Sequence, residues 1–421
     1  MTAAGQHDDH DAAATAAAAP PAAAAPAATA PAEQPLRVTS LELFFDLVFA
    51  FTLTQLTALL ADRLTLDRGL APAAVAQVLL IFGLLWWMYG GYTWLTNARP
   101  PVHTAERLLL LVGMAGFLTV GLSIPDGFGR AGIALGLGYL TVVLVHSWLY
   151  YRVNRNIIRI APFNIASALL VTIAGLLARR SGGAGPAVYL LWIAAVAIQL
   201  GSPLIVHPTG LFELRPAHLV ERYSALLMVA LGESVAAIGI GAAGLAGEIG
   251  QQSARLVAAA LLGLALAAAL WWIVFGGGDE DEAERVLRAA SSQQRTSLAM
   301  SAFFMGNIPL LLGVVAVAAG MQQAIEHSAH LSAGPVSAAA VLAAGTALFL
   351  AGAVMSRLLL RTGPVRLRVA AAVLALATTA AGAAVSLDAQ LATLTAILVA
   401  MLVLERRNAA AGRPAGDVAA G

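Results

Sequence analysis

Between Leu41 and Arg407 the chain alternates long apolar runs with short polar breaks. Each run is about 17 to 25 residues, long enough to cross roughly 30 Å of hydrocarbon as a helix. The runs begin near Leu41, Ala73, Arg107, Ala131, Pro162, Pro186, Leu219, Ala254, Thr296, Pro335, Leu367 and Asp388, which predicts twelve spans. Backbone amides find no water inside lipid and must bond within their own helix, and no segment shows the period-two alternation of a barrel strand. The expected fold class is therefore all-α: a polytopic integral membrane protein. Residues 1–36 break the pattern. They are Ala/Pro-rich low complexity around a short cluster, His7, Asp8, Asp9, His10 and Asp11, and carry too little bulky apolar surface to order themselves. A disordered tail is expected there and again over 408–421. A cleavable signal peptide is not expected, because no basic segment precedes an early apolar core.

Arginine placement orients the spans. With the N-terminus in the cytoplasm, the tails and the loops on that side hold 17 Arg, the opposite loops hold 6, and Arg222 lies inside span seven. That bias is the positive-inside pattern, and it also supports an even number of crossings, because dropping one span would scramble it. It predicts a bacterial inner-membrane protein with both termini cytoplasmic. Trp148, Tyr150 and Tyr151, just before Arg152, suit an aromatic belt at a cytoplasmic helix end.

A duplication is also visible. Trp86-Trp87 followed by Gly90-Gly91 in span two recurs as Trp271-Trp272 followed by Gly276-Gly277 in span eight. Asp46 and Glu233 precede these pairs by similar distances, so each half opens with an acid-bearing helix. Six spans per half leave both halves, 37–206 and 207–407, in one orientation, as parallel repeats about an axis along the membrane normal.

Composition narrows the chemistry. Hydrophobic residues make up 59% and charged residues 11% of 421, where a soluble globular protein carries about 25% charged residues. The 24 basic residues are all Arg and face 23 acids, so the net charge is +1 and no polybasic face suggests nucleic acid. Without Cys there is no disulfide and no thiolate chemistry. Neither a His-Glu-x-x-His zinc motif, a Walker loop nor a Gly-x-Ser-x-Gly elbow occurs, so an enzyme is not expected, nor any cofactor or metal.

The informative residues are ionisable groups inside the spans, since each costs about 2.5 to 3.5 kcal/mol or more to place at the bilayer centre. In span one, Glu42, Asp46, Ala50, Thr54 and Thr57 advance by four, four, four and three, which puts them on one helical stripe that must face protein or water. Phe45, Leu47 and Phe51 on the other side suit lipid or packing. Glu42 sits near the helix start, where it can cap or snorkel, and Asp46 lies about one turn deeper. In span seven, Arg222 and Glu233 are separated by roughly 16 Å along the axis and cannot pair directly. Glu233 must be protonated, meet a cation from another helix, or serve as a neutral interhelical hydrogen-bonding group. Gly232, Gly239 and Gly241 nearby permit close helix approach.

Weaker candidates follow. Asn307, before Pro309, marks either a broken helix with freed carbonyls lining a cavity or a simple proline kink. His146 and His103 are lone histidines, expected to be satisfied or solvated. The run Asp279 to Glu282, with Glu284, reads as the acidic start of an amphipathic linker on the cytoplasmic side, or less readily as a cation-binding surface.

Two strings carry a family resemblance: SLELFFDLVF from Ser40 to Phe49, and HLVERYSALLMVALGES from His218 to Ser234. With Trp271-Trp272 and IPLLLG from Ile308 to Gly313, they are similar to the signature stretches of the bacterial low temperature requirement protein A (LtrA) family, and the likeness runs from Leu36 to Arg407. The resemblance implies a multi-pass bacterial membrane protein linked to growth in the cold, without a defined activity or cofactor. Glu42, Asp46, Glu221, Arg222, Gly232 and Glu233 fit the family pattern. Two positions depart from it: Val274-Phe275-Gly276 replaces an aromatic and an acid after the Trp pair, and Asn307 stands where relatives often have His. A proton relay through that His is not expected here. The leading expectation is a secondary transporter or ion-conducting protein that uses Asp46 and Glu233 as proton or cation sites, with Glu42, Glu221, Arg222 and Asn307 as further candidates. Its partners are then the lipid bilayer and a small ion or solute. The rivals are a non-transporting structural protein for cold adaptation and, less favoured, an intramembrane enzyme acting on a lipid.

Overall fold

A computed structural model describes residues 37–64, 72–153, 155, 157–206, 214–243, 249–328 and 333–411. The tail over 1–36, with its His-Asp cluster, lies outside the described residues, as does the chain after 411. Among the described residues there is no strand, and twelve helical stretches are long and apolar enough to cross a membrane. The helices are α1 Ser40–Leu64, α2 Pro72–Ala98, α3 Thr104–Ser123, α4 Gly132–Tyr151, α5 Ile157–Ser181, α6 Pro186–Ile205, α7 Pro216–Ala243, α8 Ile249–Phe275, α9 Asp279–Ala289, α10 Ser292–Leu298, α11 Asn307–His327, α12 Val336–Leu360, α13 Arg366–Ala377, α14 Thr379–Ala384 and α15 Leu387–Ala411. Each predicted span finds its helix. α15 runs past the expected tail boundary at residue 408.

Apolar residues cover most of the surface of the membrane-spanning helices, so apolar periodicity alone does not select their buried face. Small residues and polar contacts do that work, as expected where lipid is as apolar as the protein interior. α3 meets α4 at Gly116 and α11 meets α12 at Gly345. A Cβ on Gly116 would lie 2.9 Å from the carbonyl of Gly138, and one on Gly345 would lie 2.7 Å from the amide of Val317. Of the three glycines in α7, only Gly241 sits at such an approach, against the Gln322 carbonyl; Gly232 and Gly239 face open space.

Neighbour relations recur between the halves. α1–α2, α1–α3, α3–α4, α4–α5, α5–α6 and α2–α6 have counterparts in α7–α8, α7–α11, α11–α12, α12–α13, α13–α15 and α8–α15. The environments of the two Trp pairs do not recur. Trp86 is buried among the rings of Phe82, Tyr89 and Phe304, whereas Trp271 and Trp272 are 37% and 41% exposed.

Before α11 the chain forms a π-helical turn, Ala299–Met305. Such a turn leaves carbonyls outside the regular ladder, and in an apolar interior each needs a partner. Two side chains supply them. Trp86 Nε1 donates to the Phe304 carbonyl at 3.0 Å, and Asn307 Nδ2 donates to the Phe303 carbonyl at 2.6 Å. The irregularity near Asn307 is thus not the simple proline kink expected there. It lies upstream of Pro309 and is a π-turn, and these two freed carbonyls bond to side chains.

Candidate functional site

α1 and α7 pack side by side and run in the same direction, since Glu42 and Asp46 meet Arg222 while Thr54, further along α1, meets Glu233. The stripe read from span one is therefore real: Glu42, Asp46, Ala50 and Thr57 are buried, and Thr54 bonds across the seam.

At the N-terminal end of the seam Arg222, 1% exposed, holds both acids of α1. Its Nη1 lies 2.9 Å from Glu42 Oε1 and donates to Thr96 Oγ1 at 2.9 Å, while Nη2 and Nε reach Asp46 Oδ1 at 3.0 and 3.1 Å. The Phe45 ring stands 5.6 Å from the guanidinium carbon. Tyr89 from α2 donates its hydroxyl to the same Asp46 oxygen at 2.9 Å. Glu42 Oε2 accepts from the Thr39 amide and hydroxyl, both at 2.9 Å, and faces His218 Nε2 at 3.3 Å. It acts as both a helix cap and an ion-pair partner.

The tautomer of His218 follows from its neighbours. The Arg215 amide can only donate, and it reaches Asn97 Oδ1 at 3.1 Å, so Asn97 Nδ2 points toward the Arg215 carbonyl at 3.0 Å and His218 Nδ1 at 3.2 Å. His218 Nδ1 is thus an acceptor, and Nε2 carries the proton toward Glu42.

The two carboxyls are not equally served. Glu42 has partners on both oxygens. Asp46 has three donors on Oδ1, and its buried Oδ2 has none. One guanidinium faces two carboxyls, so with both ionised the cluster carries an excess negative charge in a site closed to water.

Glu233 lies deeper. Thr54 donates to its Oε2 at 2.6 Å, and its other oxygen is buried without a hydrogen-bond partner. Eight residues of helix separate Asp46 from Thr54, about 12 Å, so Asp46 and Glu233 share the seam at different depths. Their similar spacing from the two Trp pairs does not bring them level. Glu221 is exposed and accepts from the Val38 amide at 3.3 Å, outside the buried cluster. Asn307 lines a small pocket of about 100 Å³ with Tyr223, Ser224, Phe303 and Ser356. None of Asp46, Arg222 and Glu233 lines that pocket.

A second ionic constellation was not legible in the chain. Arg357 grips Asp279 with Nε at 2.9 Å and Nη2 at 3.2 Å, and reaches Glu405 with Nη1 at 3.0 Å. Arg368 joins Glu405 at 3.1 Å, Asp279 at 3.4 Å and the Ile273 carbonyl at 3.1 Å. Asp279 is therefore a tie between α9, α12 and α13, where a solvated linker acid was expected; the rest of α9 keeps its amphipathic character, with exposed pairs such as Glu282–Arg285. His146, expected to be satisfied or solvated, is neither: it is buried against the rings of Tyr92 and Tyr150, at 5.2 and 5.4 Å, and among the described residues neither ring nitrogen has a hydrogen-bond partner.

Twelve apolar crossings around buried charge clusters define a polytopic helical membrane protein, an architecture that fits a bacterial membrane. The chain belongs to the bacterial low temperature requirement A (LtrA) family, whose model matches residues 37–403. It is also 30% identical over 210 residues, 47% of this chain, to an uncharacterized protein of Rhizobium meliloti (strain 1021), and spans 49% of that relative's length.

Proposed function

We propose that the protein is a secondary transporter or ion-conducting protein whose α1–α7 seam holds an exchangeable proton or small cation. The observation that carries this reading is the imbalance at Arg222: two buried carboxyls share one guanidinium, and Asp46 Oδ2 has no partner. A proton on that oxygen makes the cluster neutral and leaves the three donors on Oδ1 undisturbed, so Asp46 is the exchange site and Glu42 the permanent anion. Glu233, held by one hydroxyl, is a second carboxyl along the same seam. The chain then acts without enzymatic chemistry or a cofactor, in the inner membrane, with both termini on the arginine-rich cytoplasmic side. We also read it as two parallel six-span repeats. The recurring neighbour relations support that reading, and the unequal environments of the two Trp pairs do not.

The test uses purified protein in liposomes under imposed proton, sodium or potassium gradients. Wild-type protein should dissipate at least one gradient and Asp46→Asn should lose that flux. Flux no greater than in empty vesicles, or unchanged in Asp46→Asn, overturns the reading. One observation favours a structural role instead: Asp46, Arg222 and Glu233 line neither that pocket nor the larger cavity beside Arg357. Under that reading Asp46→Asn lowers thermal stability and there is no flux to lose.

A further inference from the structure

Outside the Asp279–Arg357–Arg368–Glu405 network lies a cavity of about 630 Å³, between the end of α8, the turn joining α12 to α13, and the end of α15. Its volume falls in the usual range for small-ligand sites, about 300 to 1,000 Å³. Four arginines line it. Arg357 and Arg368 are neutralised by Asp279 and Glu405. Arg366 and Arg406 are exposed, and among the described residues neither has an ion pair, so the cavity carries an uncompensated positive charge. Arg406 lies 4.8 Å over the ring of Trp272, a contact that fixes its position and leaves its charge in place. α13 begins at Arg366, so the positive end of its dipole points the same way.

Depth decides what kind of anion this site meets. Trp272 ends a helix read as a membrane span and is 41% exposed, as is usual for Trp at the level of lipid headgroups. The cavity is on the arginine-rich side, where anionic lipids attract basic residues. We propose that it binds a phosphate-bearing anionic group, presented by the headgroup of an anionic phospholipid. The proposal uses none of the α1–α7 residues and stands apart from the transport reading.

The test measures binding of phosphatidylglycerol, phosphatidylcholine and inorganic phosphate to the full-length protein in neutral detergent, by native mass spectrometry and thermal melting. Phosphatidylglycerol should bind and raise the melting midpoint, and phosphatidylcholine and inorganic phosphate should not. A basic residue at a lipid surface strengthens binding roughly five-fold, so Arg366→Ala with Arg406→Ala should weaken phosphatidylglycerol binding about 30-fold, and each single change about five-fold. Arg407→Ala, exposed beside Arg406 but outside the cavity lining, should bind as wild type. Both cavity arginines lie outside the ionic network, so an unshifted lipid-free midpoint verifies that the double variant is folded; if that midpoint falls, the single variants carry the test. Equal binding of the two lipids, wild-type binding by the folded double variant, or an equal loss in Arg407→Ala overturns the proposal. A shift by inorganic phosphate alone, abolished in the double variant, overturns the lipid as the source of the phosphate.

Discussion

Replacing Arg222 with methionine keeps the length of the side chain and removes the guanidinium that four contacts of 2.9 to 3.1 Å tie to Glu42, Asp46 and Thr96. Removing one partner of a buried ion pair costs about 3 to 5 kcal/mol, because the remaining charge is left uncompensated. The cost should fall unevenly. Glu42 keeps its Thr39 and His218 contacts, whereas Asp46 keeps only the Tyr89 hydroxyl. Adding Asp46→Asn to Arg222→Met should therefore restore stability, with a coupling of about 2 to 3 kcal/mol, near the top of the range for residues in direct contact. Unfolding in mixed detergent and SDS, followed by tryptophan fluorescence, measures all four corners of the cycle. Unfolding of Arg222→Met within about 0.5 kcal/mol of wild type, or additivity of the two changes within that margin, would refute an Asp46 charge held by Arg222.

Four further outcomes test the packing. Arg368→Leu strips Asp279 and Glu405 of one of their two arginines and frees the Ile273 carbonyl, so it should cost about 3 kcal/mol or more in the same unfolding assay. Arg285→Ala, which removes an exposed pair with Glu282, should cost less than about 0.5 kcal/mol. Gly345→Leu should destabilise by at least about 1 to 3 kcal/mol, because the new side chain meets the backbone of α11, and an equal or higher midpoint would refute the close approach. Asn307→Ala leaves the Phe303 carbonyl without its donor and should cost about 1 to 3 kcal/mol; faster amide exchange confined to residues around the π-turn would locate the effect.

The spans were readable because a bilayer imposes length and apolarity on every crossing helix, and the stripe on α1 was readable because acids and threonines at four- and three-residue spacing stand out in an apolar run. The partners were harder to see. Arg222 and its two acids are separated by more than 170 residues, and no local period encodes which helix lies opposite. His218 had a local signal, four residues before Arg222 on the same face, and so did Tyr89, Thr93 and Thr96, spaced by four and three along α2. Arg357 and Arg368 sit at helix ends, where sequence alone reads them as loop charges, and only the return of α15 with Glu405 shows them to be half of a neutral network. The depth difference between Asp46 and Glu233 was invisible for a similar reason: a similar spacing from the Trp pairs says nothing about how far one helix slides along another.

The most direct test of the account is infrared difference spectroscopy of the reconstituted chain across a pH titration, comparing wild type with Asp46→Asn. The α1–α7 seam should show a carboxylic-acid C=O band that comes and goes with pH, shifts in heavy water and is missing from Asp46→Asn. A folded protein with no Asp46-dependent carboxyl band at any pH would make the cluster a permanently closed ion pair and contradict the exchange site.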